Sequence, residues 1–175
     1  PTALLVNADG NVASAPAFGD VKIRELVESI KADEELKFIA NGQGKIIGQT
    51  LPEFSLPGAD GKPFDSKTIL GRKTLVAYWS PTCGFCEQML DELREWDKTK
   101  GADEPNLLLV SSGEAEVNRA FDLRSPVVLD EKRVIAEKLG MEGTPSAVLV
   151  DENGRIVSQV AAGAPRIWAL IGKRK

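Results

Sequence analysis

Thr74-Leu-Val-Ala-Tyr-Trp-Ser-Pro-Thr-Cys-Gly-Phe-Cys86 decides the reading of this chain. Its first half is an apolar, β-prone run, too uniformly apolar from Leu75 to Trp79 for an edge strand, which predicts a central strand buried on both faces. Its second half holds the only two cysteines of the 175 residues, Cys83 and Cys86, two positions apart. After them Cys86, Met89, Leu90, Leu93 and Trp96 recur at helical spacing and predict an amphipathic helix. A cysteine pair at a strand-to-helix junction reads as a dithiol that opens and closes.

The thiolate is the attacking species. Cys83 falls at the start of the helix, where free N–H groups and the helix dipole favour negative charge. Cys86 falls one turn later on the apolar stripe, where burial opposes ionisation. Cys83 is therefore the expected nucleophile and Cys86 the resolving thiol. Glu87, four residues after Cys83 on the same face, opposes the thiolate by about 0.5 kcal/mol. The dipole contributes a similar amount with the opposite sign, so the expectation is a modestly lowered Cys83 pKa. A disulfide at this spacing closes too small a loop to be mainly structural. A zinc site needs about four ligands, and the chain has no histidine and no third cysteine. Missing histidine also excludes Cys–His hydrolysis. No metal or cofactor is expected.

With 42% hydrophobic and 27% charged residues the composition is globular, and a net charge of −4 with scattered basic residues gives no footprint for nucleic acid. No apolar run approaches the roughly 20 residues of a membrane helix.

Moving outward from the cysteine pair, Pro52 to Leu56 and Lys62 to Phe64 flank a turn at Asp60-Gly61 and predict a hairpin. Leu107 to Val110 reads as a second buried strand, about 114–121 as a short helix, and Val127 to Leu129 as a short strand. Val134, Ile135 and Leu139 predict a helix ended by Gly140. Residues 147–150 and 155–160 predict a hairpin around Glu152-Asn-Gly154, and about 165–171 a closing helix. That order implies a mixed sheet with helices on both faces.

Pro1-Thr-Ala-Leu-Leu-Val-Asn-Ala-Asp-Gly10 aligns without a gap on Pro145-Ser-Ala-Val-Leu-Val-Asp-Glu-Asn-Gly154, and the match persists beyond it. The repeat predicts tandem domains in a longer protein: residues 1–47 as the tail of an upstream domain plus a linker, and 48–175 as a whole second domain. Residues 3–6 and 11–15 would form a hairpin, followed by a helix over about 20–36. Its unpaired strand edges predict packing on another sheet edge, such as that of a second copy in a homodimer.

Trp79-Ser-Pro-Thr-Cys-Gly-Phe-Cys86 with Gly143-Thr-Pro145 before a strand resembles the thioredoxin superfamily, and Leu51-Pro-Glu-Phe-Ser-Leu-Pro-Gly-Ala-Asp-Gly61 narrows the resemblance to the redoxin branch that includes TlpA, ResA and MauD. The resemblance covers about residues 48–172. It implies the thioredoxin-like α/β fold, with the N-terminal hairpin and helix as an extension. It implies a cis Thr144–Pro145 bond facing the cysteines, with the Thr144 backbone open to an extended substrate segment. Trp79, Gly84, Phe85, Thr144 and Pro145 are the substrate-contact positions so implied. Protein thiols and disulfides and an upstream redox partner are the implied partners. The implied setting is the bacterial cell envelope, with a membrane anchor or tandem domain outside this chain. Two carboxylates of relatives are missing: the positions correspond to Ala77 and Met89. Potentials of such pairs span about 150 mV, or about 7 kcal/mol, so the fold alone does not set the direction of exchange.

Two other functions fit parts of the pattern. Ser80, three residues before Cys83, matches a thiol peroxidase, although Val76 stands where that family has proline. A binding module or metal chaperone on the same fold lacks the histidine it would use for copper.

Overall fold

The computed structural model describes residues 2–3, 17–28 and 46–173. The chain divides into two units, Pro1–Gly44 and Lys45–Lys175. In the first, β1 (Thr2–Ala3) pairs antiparallel with β2 (Ala17–Phe18), with Thr2 opposite Phe18. Residues 20–28 follow as helix α1. The turn expected at Asn7-Ala-Asp-Gly10, most of its hairpin, and the helix beyond residue 28 lie outside the described residues.

The second unit is built on a five-stranded mixed sheet. Its strands are β5 (Thr74–Trp79), β6 (Asn106–Ser111), β7 (Val127–Leu129), β8 (Ser146–Val150) and β9 (Ala161–Ala162), in the order β7-β6-β5-β8-β9. A separate hairpin, β3 (Ser55–Pro57) with β4 (Pro63–Asp65), precedes them. Its Gly58 bridges to Val128 on the sheet. The helices are α2 (Gly84–Thr99), α3 (Ala115–Arg119), α4 (Val134–Lys138) and α5 (Ala164–Leu170).

β5 is central because all six of its residues are buried, and only a strand covered on both faces and both edges tolerates such a run. Pleating sends Leu75, Ala77 and Trp79 to one face, where they join Leu107, Leu109 and Ala147. Against that face α2 lays Cys86, Met89, Leu93 and Trp96, and α5 lays Ile167 and Trp168. The Trp96 and Trp168 rings meet edge to face at 6.1 Å, a geometry worth about 1 kcal/mol beyond their burial. Tyr78 points to the other face, where the Arg133 guanidinium lies 5.7 Å from its ring centroid.

One element departs from expectation. The hairpin of 147–150 with 155–160 forms only in part: Val150 bridges antiparallel to Ile156, Asp151 N–H donates to the Arg155 carbonyl at 2.8 Å and Val157 N–H to the Leu149 carbonyl at 2.8 Å, but 155–160 do not make a continuous strand. On its other edge Ile156 donates to the Gln49 carbonyl at 2.9 Å and Arg155 bridges to Thr50, so the returning chain runs between β8 and the segment leading into the unit. Farther on, Leu149 N–H donates to the Ser158 hydroxyl at 2.8 Å instead of to a backbone carbonyl. Regular ladder pairing continues at β9, with Ala162 opposite Ser146.

The C-terminal end of α2 is fixed by a buried carboxylate. Asp97 accepts from the backbone N–H groups of Arg124 at 2.6 Å and Ser125 at 2.9 Å, and it also binds the Ser125 hydroxyl and the Lys100 ammonium. Burial pushes the Asp97 carboxyl up, but the Lys100 and Ser125 hydrogen bonds outweigh it and hold it below the ordinary carboxylate value. A carboxyl with a depressed folded pKa stabilises the fold above its unfolded value, about 3.9, and that contribution fades as pH falls through and below it. Asp97→Asn is therefore expected to cost about 2 kcal/mol at neutral pH, with the gap to wild type shrinking below about pH 4. Urea titrations across that range check this; a gap that stays constant from pH 7 to pH 3 contradicts it.

Candidate active site

The end of β5 and the start of α2 are joined by a tight turn in which Cys83 N–H donates to the Ser80 carbonyl at 3.2 Å. Cys83 is the N-cap residue of α2, with extended backbone (φ −91°, ψ 115°), and Glu87 N–H makes the first helical bond to its carbonyl at 3.0 Å. This is one position earlier than the first turn expected from sequence, and it suits a thiolate better, because the N-cap side chain faces the unpaired N–H groups of the first turn.

Three residues on, Cys86 has turned inward. It is 1% exposed and packs in the core cluster with Trp79 and Met89. Both cysteines are free thiols. Across from them lies the start of β8. The Thr144–Pro145 peptide bond is cis, as the resemblance implies, and the Cys83 thiol donates to the Thr144 carbonyl at 3.2 Å. Residues 61 apart in sequence thus meet at one sulfur.

The two thiols ionise very differently. Burial raises the Cys83 pKa, but the side chains of Thr144 and Cys86 and the backbone N–H groups of Cys86 and Phe85 together outweigh it, so Cys83 lies below an ordinary thiol. Burial dominates at Cys86. The Ser80 backbone lowers its pKa, the neighbouring Cys83 raises it, and the result is a thiol pushed up to about 12. At neutral pH about one Cys86 in 10⁵ is then ionised.

The remaining residues named from sequence fall around this pair. Gly84 opens α2 and is exposed. Phe85 is 72% exposed, a large apolar side chain standing next to the accessible sulfur. Pro145 is buried. Trp79 is in a different environment from the one expected of a substrate contact. It is 1% exposed and packs edge to face on Phe121 at 6.4 Å between centroids, so it supports the site from beneath. The positions of the two missing carboxylates are filled by buried Ala77 and Met89.

Three neighbours of the site were not singled out from sequence. Gly113 (φ 87°) passes so close to Pro81 that a Cβ there would lie 3.0 Å from its ring. Asp130, 2% exposed, accepts from the N–H groups of Val134, Ile135 and Ala136 and anchors α4. An acidic residue shortly before a helical pattern is a readable capping signal. Arg133 adopts a left-handed conformation (φ 57°, ψ 23°) and donates to the Glu142 carbonyl at 3.0 Å; nothing in the mixed-charge run Asp130-Glu-Lys-Arg133 marks it. A cleft of about 440 Å³ lies elsewhere, between the β3–β4 hairpin and residues 118–128.

Residues 47–159 match the model of the AhpC/TSA family. A thiol-disulfide oxidoreductase ResA of Bacillus thuringiensis is 24% identical over 131 residues, covering 70% of this chain and 74% of the relative. A methylamine utilization protein MauD of Methylobacillus flagellatus is 32% identical over 119 residues, covering 65% of this chain and 56% of the relative. Among solved structures, the thioredoxin domain of a thiol-disulfide oxidoreductase from Bacteroides vulgatus superposes with a TM-score of 0.58 at 20% identity, over 73% of this chain and 96% of that one. The chain belongs to the AhpC/TSA family and is a thioredoxin-fold thiol-disulfide oxidoreductase.

The contrast between the two sulfurs has a direct readout. Under native conditions at pH 7, iodoacetamide is expected to label Cys83 and spare Cys86, with Cys86 becoming reactive only on unfolding. Peptide mass spectrometry resolves the two sites. Equal labelling of both in the folded protein contradicts the assignment.

Proposed function

We propose that this AhpC/TSA-family oxidoreductase exchanges a disulfide with protein substrates through Cys83 and Cys86. The observation that carries the reading is the pairing of an ionisable, accessible N-cap thiol with a buried thiol one helical turn behind it. In the reducing direction the Cys83 thiolate attacks one sulfur of a substrate disulfide. An S–S bond forms between enzyme and substrate, and the other substrate sulfur leaves as a thiolate that takes up a proton. Cys86 then attacks Cys83, closes the enzyme disulfide and releases the second substrate thiol. The oxidising direction is the same sequence reversed.

The high Cys86 pKa is an obstacle only before the first step. Burial is its main cause, but two further contributions come from Cys83 itself, through a hydrogen bond and through charge. Once Cys83 is locked in a mixed disulfide it carries no charge and no longer offers Cys86 an anionic acceptor, so both contributions weaken and Cys86 becomes easier to ionise when it is needed.

Phe85, beside the attacking sulfur, and the Thr144 backbone on the opposite side are the proposed contacts for an extended protein segment, with Gly84 and Pro145 completing the rim. An exposed aromatic is the kind of anchor that protein partners bury. An extracytoplasmic setting is proposed from the resemblance to envelope redoxins; among the described residues no helix is long and apolar enough to cross a membrane.

Cys83→Ser is expected to reduce exchange with a disulfide-bonded protein to the uncatalysed rate. Cys86→Ser is expected to retain the first attack and accumulate the enzyme–substrate mixed disulfide, visible as a mass adduct removed by dithiothreitol. Exchange that survives Cys83→Ser overturns the reading.

A further inference from the structure

The Glu142–Pro145 loop carries the residue that Cys83 touches, and all four of its carbonyls are occupied. The Glu142 carbonyl accepts from Arg133 Nη2 at 3.0 Å. The Gly143 carbonyl accepts from the Ser146 hydroxyl at 2.7 Å. The Thr144 carbonyl accepts from the Cys83 thiol at 3.2 Å, and the Pro145 carbonyl from Gly163 N–H at 2.9 Å. Ser146 is the loop's own neighbour, Gly163 holds the β8 end, and Cys83 is the reacting group. Just upstream, Met141 N–H donates to the Ala136 carbonyl of α4 at 2.8 Å, and among the described residues the side-chain bond from another element to the loop's own upstream end comes from Arg133.

Arg133 is held in place for that bond at some cost. Its backbone lies in the left-handed region (φ 57°), which glycine and asparagine tolerate and long side chains avoid. Asp130 fixes the segment from behind, with its backbone carbonyl accepting from Arg133 N–H at 2.9 Å and its carboxylate on the next three N–H groups. The guanidinium lies over the Tyr78 ring, on the strand that leads into the cysteine turn. Non-glycine residues in such conformations concentrate where a site needs a group positioned. The charged and titratable groups around this contact are Asp130, Glu137 and Tyr78.

We propose that Arg133 is a positioning residue that clamps the Glu142–Pro145 loop to β5 and so sets Thr144 against Cys83. It touches neither sulfur and acts only through the loop. The inference rests on the proposed exchange function and deepens it.

Arg133→Gly tests this with little risk to folding, because glycine suits the left-handed backbone. The expected result is a downward shift of the Cys83 thiolate titration, followed by absorbance near 240 nm, because a loosened loop takes the Thr144 carbonyl acceptor away from the thiol. Turnover at saturating substrate is expected to fall about threefold, the size expected for one partly exposed charge-assisted hydrogen bond. The pair is also expected to become more reducing, because its reduced form loses that hydrogen bond. Arg133→Lys should recover part of each effect, and 1 M salt should leave the shifts in place, since a hydrogen bond is screened less than a distant charge. If both variants titrate and turn over like wild type while Cys83→Ser remains inactive, the clamp is wrong and the exchange function stands. Shifts that vanish in 1 M salt also overturn it, leaving a simple charge effect. A wild-type protein without exchange activity removes the function itself.

Discussion

The antiparallel register of β8 on β5 is the constraint from which the active site follows. Tyr78 lies opposite Ser146 and Thr74 opposite Val150, so the beginning of β8 is fixed beside the end of β5. The cysteine turn follows Trp79, and the cis-proline loop precedes Ser146. Antiparallel pairing therefore brings Cys83 and Thr144 together without any direct sequence relationship between them. A parallel pairing would put Pro145 at the opposite end of the sheet, one strand length or about 17 Å away. The register is itself held by burial. β5 and β8 are apolar on both faces, and a slip by one residue would exchange Ala77 and Trp79 with Tyr78 and send their side chains into the wrong layer.

Much of this architecture was legible because its strongest elements are also the most strongly patterned. The run Leu75–Trp79 fixes the central strand, and the spacing of Cys86, Met89, Leu93 and Trp96 fixes both the helix and the face it buries. Where the pattern was realised only in part, a segment distant in sequence had joined the pairing. Residues 155–160 look like the return strand of a hairpin because Glu152-Asn-Gly154 is a good turn. That turn does form, with Gly154 N–H donating to the Asp151 carbonyl at 3.0 Å. What sequence could not show is that residues 48–51 pair with the other edge of Arg155 and Ile156.

At the site, the two sulfurs were legible and their surroundings only in part. Helical geometry alone separates Cys83 from Cys86, since three residues carry a side chain from the helix end to the inner face. Trp79 was harder to place, because adjacency to a cysteine turn does not say which sheet face a strand residue occupies. It belongs to the same face as Leu75 and Ala77, and that face is covered by α2. Arg133 was not legible at all. Its importance rests on a backbone conformation and a contact nine residues along, neither of which leaves a mark in the order of residues.

The Thr144 carbonyl connects these observations to a single event. In the thiol form Cys83 has a proton and spends it on that carbonyl. Ionisation removes the donor, and the carbonyl then faces a negative sulfur with nothing to accept. The Thr144 side chain acts in the opposite sense and favours the thiolate. An extended segment arriving with a free N–H finds the acceptor vacant at the moment the adjacent sulfur becomes reactive. On the proposed function, activation of Cys83 and opening of the backbone site for substrate are the same proton loss. Coupling of that kind works only if the loop does not drift toward or away from the sulfur as its charge changes, which is why the occupied carbonyls on either side of Thr144 matter as much as Thr144 itself.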